Sequence, residues 1–300
     1  MDNNIISLNQ VTKDYGKGRG IFDIDLQIKP GTVYGYIGTN GSGKTTTIRN
    51  IMGFIRPDKG SVLIKGMDAW DNATELKKYM SYIPGEIEFP RFKTGTDFLN
   101  YYAKYLGITN LSYMEDLIEI LHLDPSANLR RMSKGMKQKT AVVAALMADK
   151  ELLILDEPTT GLDPLMRDVF LNLIRREKAK GKTILMSSHI FEEIEEVCDV
   201  AAIIHKGKIV DEVNMEALRN PHNKKFRITF SSKEDRRSFA ELWKENISLE
   251  DNPLACEVVF PGGNIKTFLQ LLKNYRIREL KEDHPTLEGH FKKVIKEGEK

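Results

Sequence analysis

The chain has 300 residues, 45 Lys plus Arg against 43 Asp plus Glu, and a formal net charge of +2. That length provides one large or two modest domains with ample core, and the balanced charge gives no reason to expect nucleic acid as the main partner. Its two cysteines, Cys198 and Cys256, are not spaced as metal ligands, so free thiols in a reducing cytoplasm are expected.

The start, Met1-Asp2-Asn3-Asn4, carries no basic and no apolar region, and no signal peptide is expected. Residues 5–12 and 21–28 alternate, which predicts a hairpin of strands around the glycine-punctuated turn 14–20. Pro30-Gly31 ends the second strand, and the apolar run 33–37 predicts a buried strand. A glycine-rich loop follows, then a stretch from residue 46 with helical apolar spacing. Residues 56–60 read as a turn and 61–64 as a short strand. The character changes over residues 90–148, which read as helices at 97–106, 112–123 and 133–148. Ser112 with Glu115 has the form of a capping box, and Ser133 is a candidate N-cap. The longest apolar run, 141–148, is far short of the roughly 18 residues a membrane helix needs.

Residues 152–155 predict a fully buried strand ending at Asp156-Glu157-Pro158. Asp163 as N-cap and Pro164 at the first position open a helix that closes near Gly181. Residues 183–186 are another buried strand, followed by Ser187-Ser188-His189, a short acidic helix over 192–198, and strands at 200–205 and 208–213. Alternating strands and helices predict an α/β domain with a mostly parallel sheet. After the break at residues 220–223 the pattern restarts, with strands at 226–230, 257–260 and 276–281 and helices at 233–243, 265–275 and 287–295. The expected domains are therefore 1–219, with its helical part at about 90–148, and a small α+β module over 224–300.

Two motifs carry chemistry. The stretch Gly38-Thr39-Asn40-Gly41-Ser42-Gly43-Lys44-Thr45 lies between a strand and a helix, the setting in which G-x-x-x-x-G-K-[ST] cradles phosphates. Its glycines let successive N–H groups converge on one anion, and the helix N-terminus adds positive potential. Lys44 supplies a cation for the β- and γ-phosphates, and the Thr45 hydroxyl can ligate Mg²⁺. The second motif is the carboxylate pair at the end of a core strand. Asp156 can hold Mg²⁺ through its water shell, while Glu157 faces a water that it orients or deprotonates during phosphoryl transfer.

Residues 5–215 resemble the ATP-binding subunit of an ATP-binding-cassette (ABC) transporter. The resemblance rests on Tyr15, loop 38–45, residues 133–138 and 152–157, Gly161-Leu162-Asp163 and His189, in that order. It implies a P-loop nucleoside triphosphatase fold with an inserted helical subdomain, and ATP bound by loop residues 38–45 and Thr46. It also implies adenine stacked on Tyr15 and a γ-phosphate contact from His189, which positions Glu157. The other histidines, His122, His205, His222, His284 and His290, match no such motif. Asp163 would face a second cassette.

The resemblance implies a second ABC ATPase chain, identical or related. Its phosphate site would take Ser133, Lys134 and Gly135 in trans, with ATP bridging Lys44 of one chain and Ser133 of the other. A separate integral membrane permease would meet the aromatic cluster Tyr79, Phe89, Phe92, Phe98, Tyr101 and Tyr102. The location would be cytoplasmic, on the inner face of the membrane. Two positions depart from the family. The signature usually reads Leu-Ser-Gly-Gly-Gln and here is Met132-Ser133-Lys134-Gly135-Met136. The glutamine usual after Tyr82-Ile83-Pro84 is Gly85, with Glu86 next as a further candidate metal ligand. With the C-terminal module, these departures resemble bacterial ATPases that power export of peptide antibiotics, bacitracin-like drugs and related cargo. The alternative is a soluble cassette ATPase acting on ribosomes or DNA. Such proteins usually carry two cassettes, a long coiled coil or a basic insertion, and this chain has none. A catalytically silent subunit is disfavoured by intact Lys44, Asp156, Glu157 and His189.

Overall fold

The computed structural model describes residues 4–220, 223–243, 247–249, 252–261 and 265–298. The break expected at Pro221 and His222, and the start Met1-Asp2-Asn3, lie outside the described residues. The chain forms two compact units, one holding the residues up to Met215 with those from Phe291, the other spanning Glu216–His290.

The first unit runs β1 (Ile6–Asp14), β2 (Gly20–Ile28), β3 (Val33–Ile37), α1 (Lys44–Ile51), β4 (Lys59–Ile64), β5 (Met67–Asp68), α2 (Ala73–Leu76) and β6 (Met80–Ile83). The helical stretch follows as α3 (Gly95–Tyr105), α4 (Ser112–Ile120) and α5 (Lys134–Met147). Then come β7 (Leu152–Asp156), α6 (Pro164–Ala179), β8 (Thr183–Ser188), α7 (Phe191–Val197), β9 (Val200–His205) and β10 (Lys208–Asn214). A four-stranded antiparallel sheet has the order β2-β1-β4-β5, and a six-stranded sheet has the order β10-β9-β3-β8-β7-β6. Within the six, only the β10–β9 pair is antiparallel.

Strands β3, β7 and β8 are buried at every position, as continuous apolar runs in a parallel sheet covered on both faces should be. Ile48 and Ile51 of α1 share one core with Tyr34 and Leu152 of the parallel sheet and with Val11 and Ile24 of the antiparallel one. That shared burial ties the helix behind the glycine-rich loop to both sheets.

Pairing register sets where the loops start. Ile37 lies opposite Ser188, Asp156 opposite Ser187, and Ile83 opposite Leu155. The C-terminal ends of β3, β8, β7 and β6 therefore stop at one level. Open parallel sheets bind ligands at that edge.

The C-terminal end of α6 meets α4 through a buried ion cluster. Glu177 is fully buried; Tyr113 Oη donates to it (2.5 Å), Lys180 pairs with it (2.7 Å), and so does Lys182. Lys182 also pairs with Asp149 (2.6 Å). Burial by itself would raise the Glu177 carboxyl, but Lys180, Lys182 and Tyr113 together hold it below the usual carboxylate range.

The chain continues as α8 (Met215–Arg219), β11 (Asn223–Phe230), α9 (Lys233–Leu242), β12 (Ile247–Leu249), β13 (Ala255–Pro261), α10 (Ile265–Leu272), β14 (Ile277–Asp283) and α11 (Leu287–Gly298). The second unit's sheet is antiparallel, with the order β12-β13-β11-β14. Alternation places Phe226, Ile228 and Phe230 on its buried face, in one core with Phe239, Val258 and Phe268.

Several local expectations need correction. Ser112 does not cap α4: the cap position is Leu111, and the Ser112 N–H is taken by Asn110 Oδ1 (3.0 Å). The reciprocal capping box is Thr94 with Asp97, so α3 starts at Gly95 rather than 97. β4 begins inside the expected turn, because β1 offers Thr12 as a partner for Lys59. Short β5, α2, β6, α8 and β12 were not anticipated from local pattern, and α10 ends at Leu272, before the expected 275.

Glu177→Ala would leave Lys182 buried with one exposed partner, and such losses cost about 3–5 kcal/mol. We expect a lower thermal melting temperature at neutral pH. Because the folded carboxyl titrates below its unfolded value, its stabilisation is complete above the unfolded pKa. It is lost as pH falls through the folded one, so the gap between variant and unsubstituted chain should close on acidification.

Candidate active site

The glycine-rich loop is built by close packing. A Cβ on Gly38 would stand 2.3 Å from the Ile204 carbonyl oxygen, so only glycine lets the chain leave β3 against β9. Gly43, at φ 115°, is the N-cap of α1 and makes no side-chain cap bond, so the helix presents its first N–H groups to the loop. Lys44 is buried, and its Nζ donates to the carbonyls of Gly38 (2.7 Å) and Thr39 (3.2 Å). The same ammonium lies 3.3 Å from Glu157 Oε1.

Asp156 ends β7 and is fully buried. Its Oδ1 accepts from Ser187 Oγ (2.6 Å), while its Oδ2 has no hydrogen-bond partner. A buried carboxylate oxygen left unpaired is costly, and a cation or a cation-bound water would satisfy it. The donor set suits Mg²⁺, which takes one or two protein oxygens alongside phosphates and waters. Thr45 opens onto the same cleft as Asp156, so the residues fit the expected ion.

Glu157 turns away from Asp156 because its backbone is left-handed, at φ 48°, a conformation that costs a non-glycine residue about 1–3 kcal/mol and clusters at functional sites. Its N–H is held by Ser187, through the carbonyl (3.2 Å) and Oγ (3.0 Å). Its Oε2 meets His189 Nδ1 at 3.2 Å. His189 follows β8 directly and is exposed at 43% on its side chain, against 23% for Glu157. Both thus remain reachable from solvent.

Lys44, Asp156 and Glu157 border one cleft of about 620 Å³. Its wall includes Tyr15, Asn40, Gly41, Gly43, Lys44, Thr45, Thr46, Glu86, Lys134, Asp156 and Glu157. Gly38, Thr39, Ser42, Ser133, Gly135 and His189 stand outside the wall, His189 joining through Glu157. Tyr15 is 48% exposed, an open aromatic face at the rim. Gly85 is also on the wall, and a Cβ there would be 3.4 Å from Asp156 Oδ2.

Ser133 caps α5, its Oγ accepting from Met136 N (3.2 Å). Lys134 packs over Gly161 and borders its own chain's cleft. The resemblance had assigned it only to the facing chain.

The cleft also holds residues that the motifs did not flag. Arg19 and Arg49 add two cations, and Tyr82 and Thr160 also line the wall. Arg49 could have been found from helical spacing, since it lies one turn after Thr45. Burial, then the neighbouring Asp156 charge, pushes the Tyr82 hydroxyl up to about 12. Ser187, which braces both Asp156 and Glu157, had no sequence signal beyond its place at a strand end.

Away from the cleft, Phe89, Phe92, Phe98, Tyr101 and Tyr102 form a ladder of rings, with centroid separations of 4.9 Å for Phe89–Phe98, 5.1 Å for Phe92–Tyr101 and 5.9 Å for the stacked Phe98–Tyr102 pair. Tyr101 is 57% exposed. Tyr79 does not join the ladder; its ring sits under Lys65 Nζ at 4.8 Å.

Comparison with known proteins adds to this geometry. A family model described as ABC transporter matches residues 21–160. The chain is 32% identical over 282 residues to the bacitracin transport ATP-binding protein BcrA of Bacillus licheniformis, covering 92% of this chain and 89% of that one. It is 33% identical over 213 residues to the Nod factor export ATP-binding protein I of Cupriavidus pinatubonensis, covering 69% of this chain and 66% of that one. A solved ATP-binding subunit of an ABC transporter superposes with a TM-score of 0.64 at 30% identity, covering 72% of this chain and 92% of the other. A dimeric ATP-binding cassette bound to ADP and Pi shares the fold, with a TM-score of 0.62 at 19% identity over 70% of this chain and 98% of the other.

Gly38→Ala should force the loop off β9. We expect at least about a tenfold weaker affinity for a fluorescent ATP analogue, mant-ATP, with the far-UV spectrum unchanged.

Proposed function

The chain belongs to the ABC transporter family as an ATP-binding subunit, and from that premise we propose that its cleft hydrolyses Mg-ATP to drive export through a separate membrane permease. The observation that carries the proposal is the convergence on one cleft of Lys44, a half-buried Glu157 held by His189, and Asp156 with one unpaired oxygen. Lys44, moving from the loop carbonyls to the β- and γ-phosphates, offsets their charge. The loop N–H groups and the α1 N-terminus bind the same phosphates, and Tyr15 stacks on adenine. Glu157 orients a water toward the γ-phosphorus and takes its proton; His189 holds Glu157 in place and contacts the γ-phosphate. Mg²⁺, held by Thr45 and through water by Asp156, supplies further charge neutralisation when bound. Glu86, on the cleft wall and next in sequence to the usual glutamine's place, is a further candidate ligand.

A single chain leaves the γ-phosphate open on one side. We assign that side to Ser133, Lys134 and Gly135 of a second cassette, identical or related, with Asp163 at the contact. ATP then bridges two chains, and its hydrolysis releases them. The half-exposed aromatic ladder is the proposed seat of the permease, and the proposed location is the inner face of the membrane. Among the described residues no helix is long and apolar enough to cross a bilayer. Likeness to a bacitracin transport ATP-binding protein and to a Nod factor export ATP-binding protein supports export, with a peptide antibiotic or similar compound as cargo. Residues 1–219 are the proposed ATPase domain and 224–300 an accessory module.

Glu157→Gln should keep mant-ATP binding within about twofold and lower turnover by at least about a hundredfold. Unchanged turnover would reject its role. The same variant, held with Mg-ATP and used as bait on detergent-solubilised native membranes, should retain an integral membrane protein. Ribosomal proteins or nucleic acid in its place would favour the soluble cassette reading.

A further inference from the structure

Glu193 lies in α7, on the turn after His189, and is 1% exposed. An apolar side chain would fill such a place without the cost of burying a charge. That burial pushes the Glu193 carboxyl above its ordinary range, only partly offset by its partners. The partners all come from segments that flank the Glu157–His189 contact. Glu193 Oε2 accepts from Thr159 Oγ1 (3.0 Å) and from Ser188 Oγ (2.8 Å). Glu193 Oε1 lies 3.1 Å from Arg167 Nε.

Thr159 is two residues beyond Glu157, on the loop that runs to Asp163. Ser188 immediately precedes His189, and its Oγ also accepts from Ile190 N (2.9 Å), which fixes the turn that presents the imidazole. Arg167 is in the first turn of α6, where its N–H donates to the Asp163 carbonyl (2.9 Å). One buried carboxylate thus joins the segment after Glu157, the end of β8 before His189 and the start of α6. Ordinary packing of α7 is carried by Ile194 and Val197, which are buried without any such polar demand.

We propose that Glu193 is a positioning residue for phosphoryl transfer: it clamps the Thr159–Asp163 segment to Ser188 and so keeps Glu157 and His189 within reach of each other. The proposal rests on the ATPase reading of the same cleft. Glu193 is not part of the cleft wall and acts only through the two residues it aligns.

The test is steady-state hydrolysis of Mg-ATP by the full chain and by Glu193→Gln, Glu193→Ala, Thr159→Val and Glu193→Ala/Thr159→Val. A misplacement near 1 Å costs about a hundredfold, so we expect Glu193→Ala to lower kcat by about ten- to a hundredfold. KM and the mant-ATP dissociation constant should stay within about twofold, as befits loss of alignment rather than of binding. Glu193→Gln, isosteric and with an amide oxygen that can still accept from both Thr159 and Ser188, should retain more turnover than Glu193→Ala. Thr159→Val should show a smaller loss, and the double variant should be no slower than Glu193→Ala alone, since both act through one contact. Unchanged kcat in Glu193→Gln and Glu193→Ala, a rise in KM with constant kcat, or multiplying losses in the double variant would each overturn the proposal while leaving the ATPase reading intact. If Glu193→Ala does not fold, Glu193→Gln and Thr159→Val decide by the same kcat-against-KM split. Absence of hydrolysis by the unsubstituted chain overturns the ATPase reading, and the positioning role with it.

Discussion

Everything at the candidate site depends on four parallel strands ending at one level. Backbone pairing sets Asp156 against Ser187 and Ile37 against Ser188, and β6 stops beside β7 at Leu155. A slip of one residue in any pair would move that strand's end about 3.3 Å along the sheet and off the shared level. The apolar runs resist such a slip because β3, β7 and β8 are covered on both faces. Hydrophobic burial far from the chemistry therefore holds Gly38, Asp156, Glu157 and His189 at one edge.

At that edge the charges are coupled rather than merely adjacent. Glu157 stands between Lys44 at 3.3 Å and His189 at 3.2 Å, one contact for each carboxylate oxygen. Ser187 ties the two acids together, donating to Asp156 and receiving the Glu157 N–H. The left-handed backbone at Glu157 is what lets two consecutive carboxylates serve different partners. Replacing any one group changes the electrostatic surroundings of the others, so their effects should not add.

The two departures from the family pattern acquire physical content in this setting. At residue 85 a glycine leaves space beside the unpaired Asp156 oxygen, while Glu86 brings an acid to the same wall. At residue 134 a lysine adds a cation to its own chain's cleft, next to Gly161. Lys134 and Glu86 each add a charge to the cleft wall, Gly85 adds none, and all three lie outside the paired strands.

Local sequence pattern determined much of this protein. The loop 38–45, the acids at 156 and 157, the Asp163-Pro164 helix start and the buried strands are written in contiguous residues, because glycine, proline and apolar runs act through their nearest neighbours. It misjudged Ser112, where Asn110 competed for the same N–H, and it was silent on β5, β6 and β12, which exist only because another strand offers a partner. Tertiary structure alone decided that Ser187 braces both acids, that Lys134 reaches its own cleft, and that Glu193 joins segments separated in the chain. Those roles depend on distances between residues such as 159 and 193, which no local periodicity encodes. They arise when the sheet closes and each buried polar atom must find whatever partner the fold has brought near.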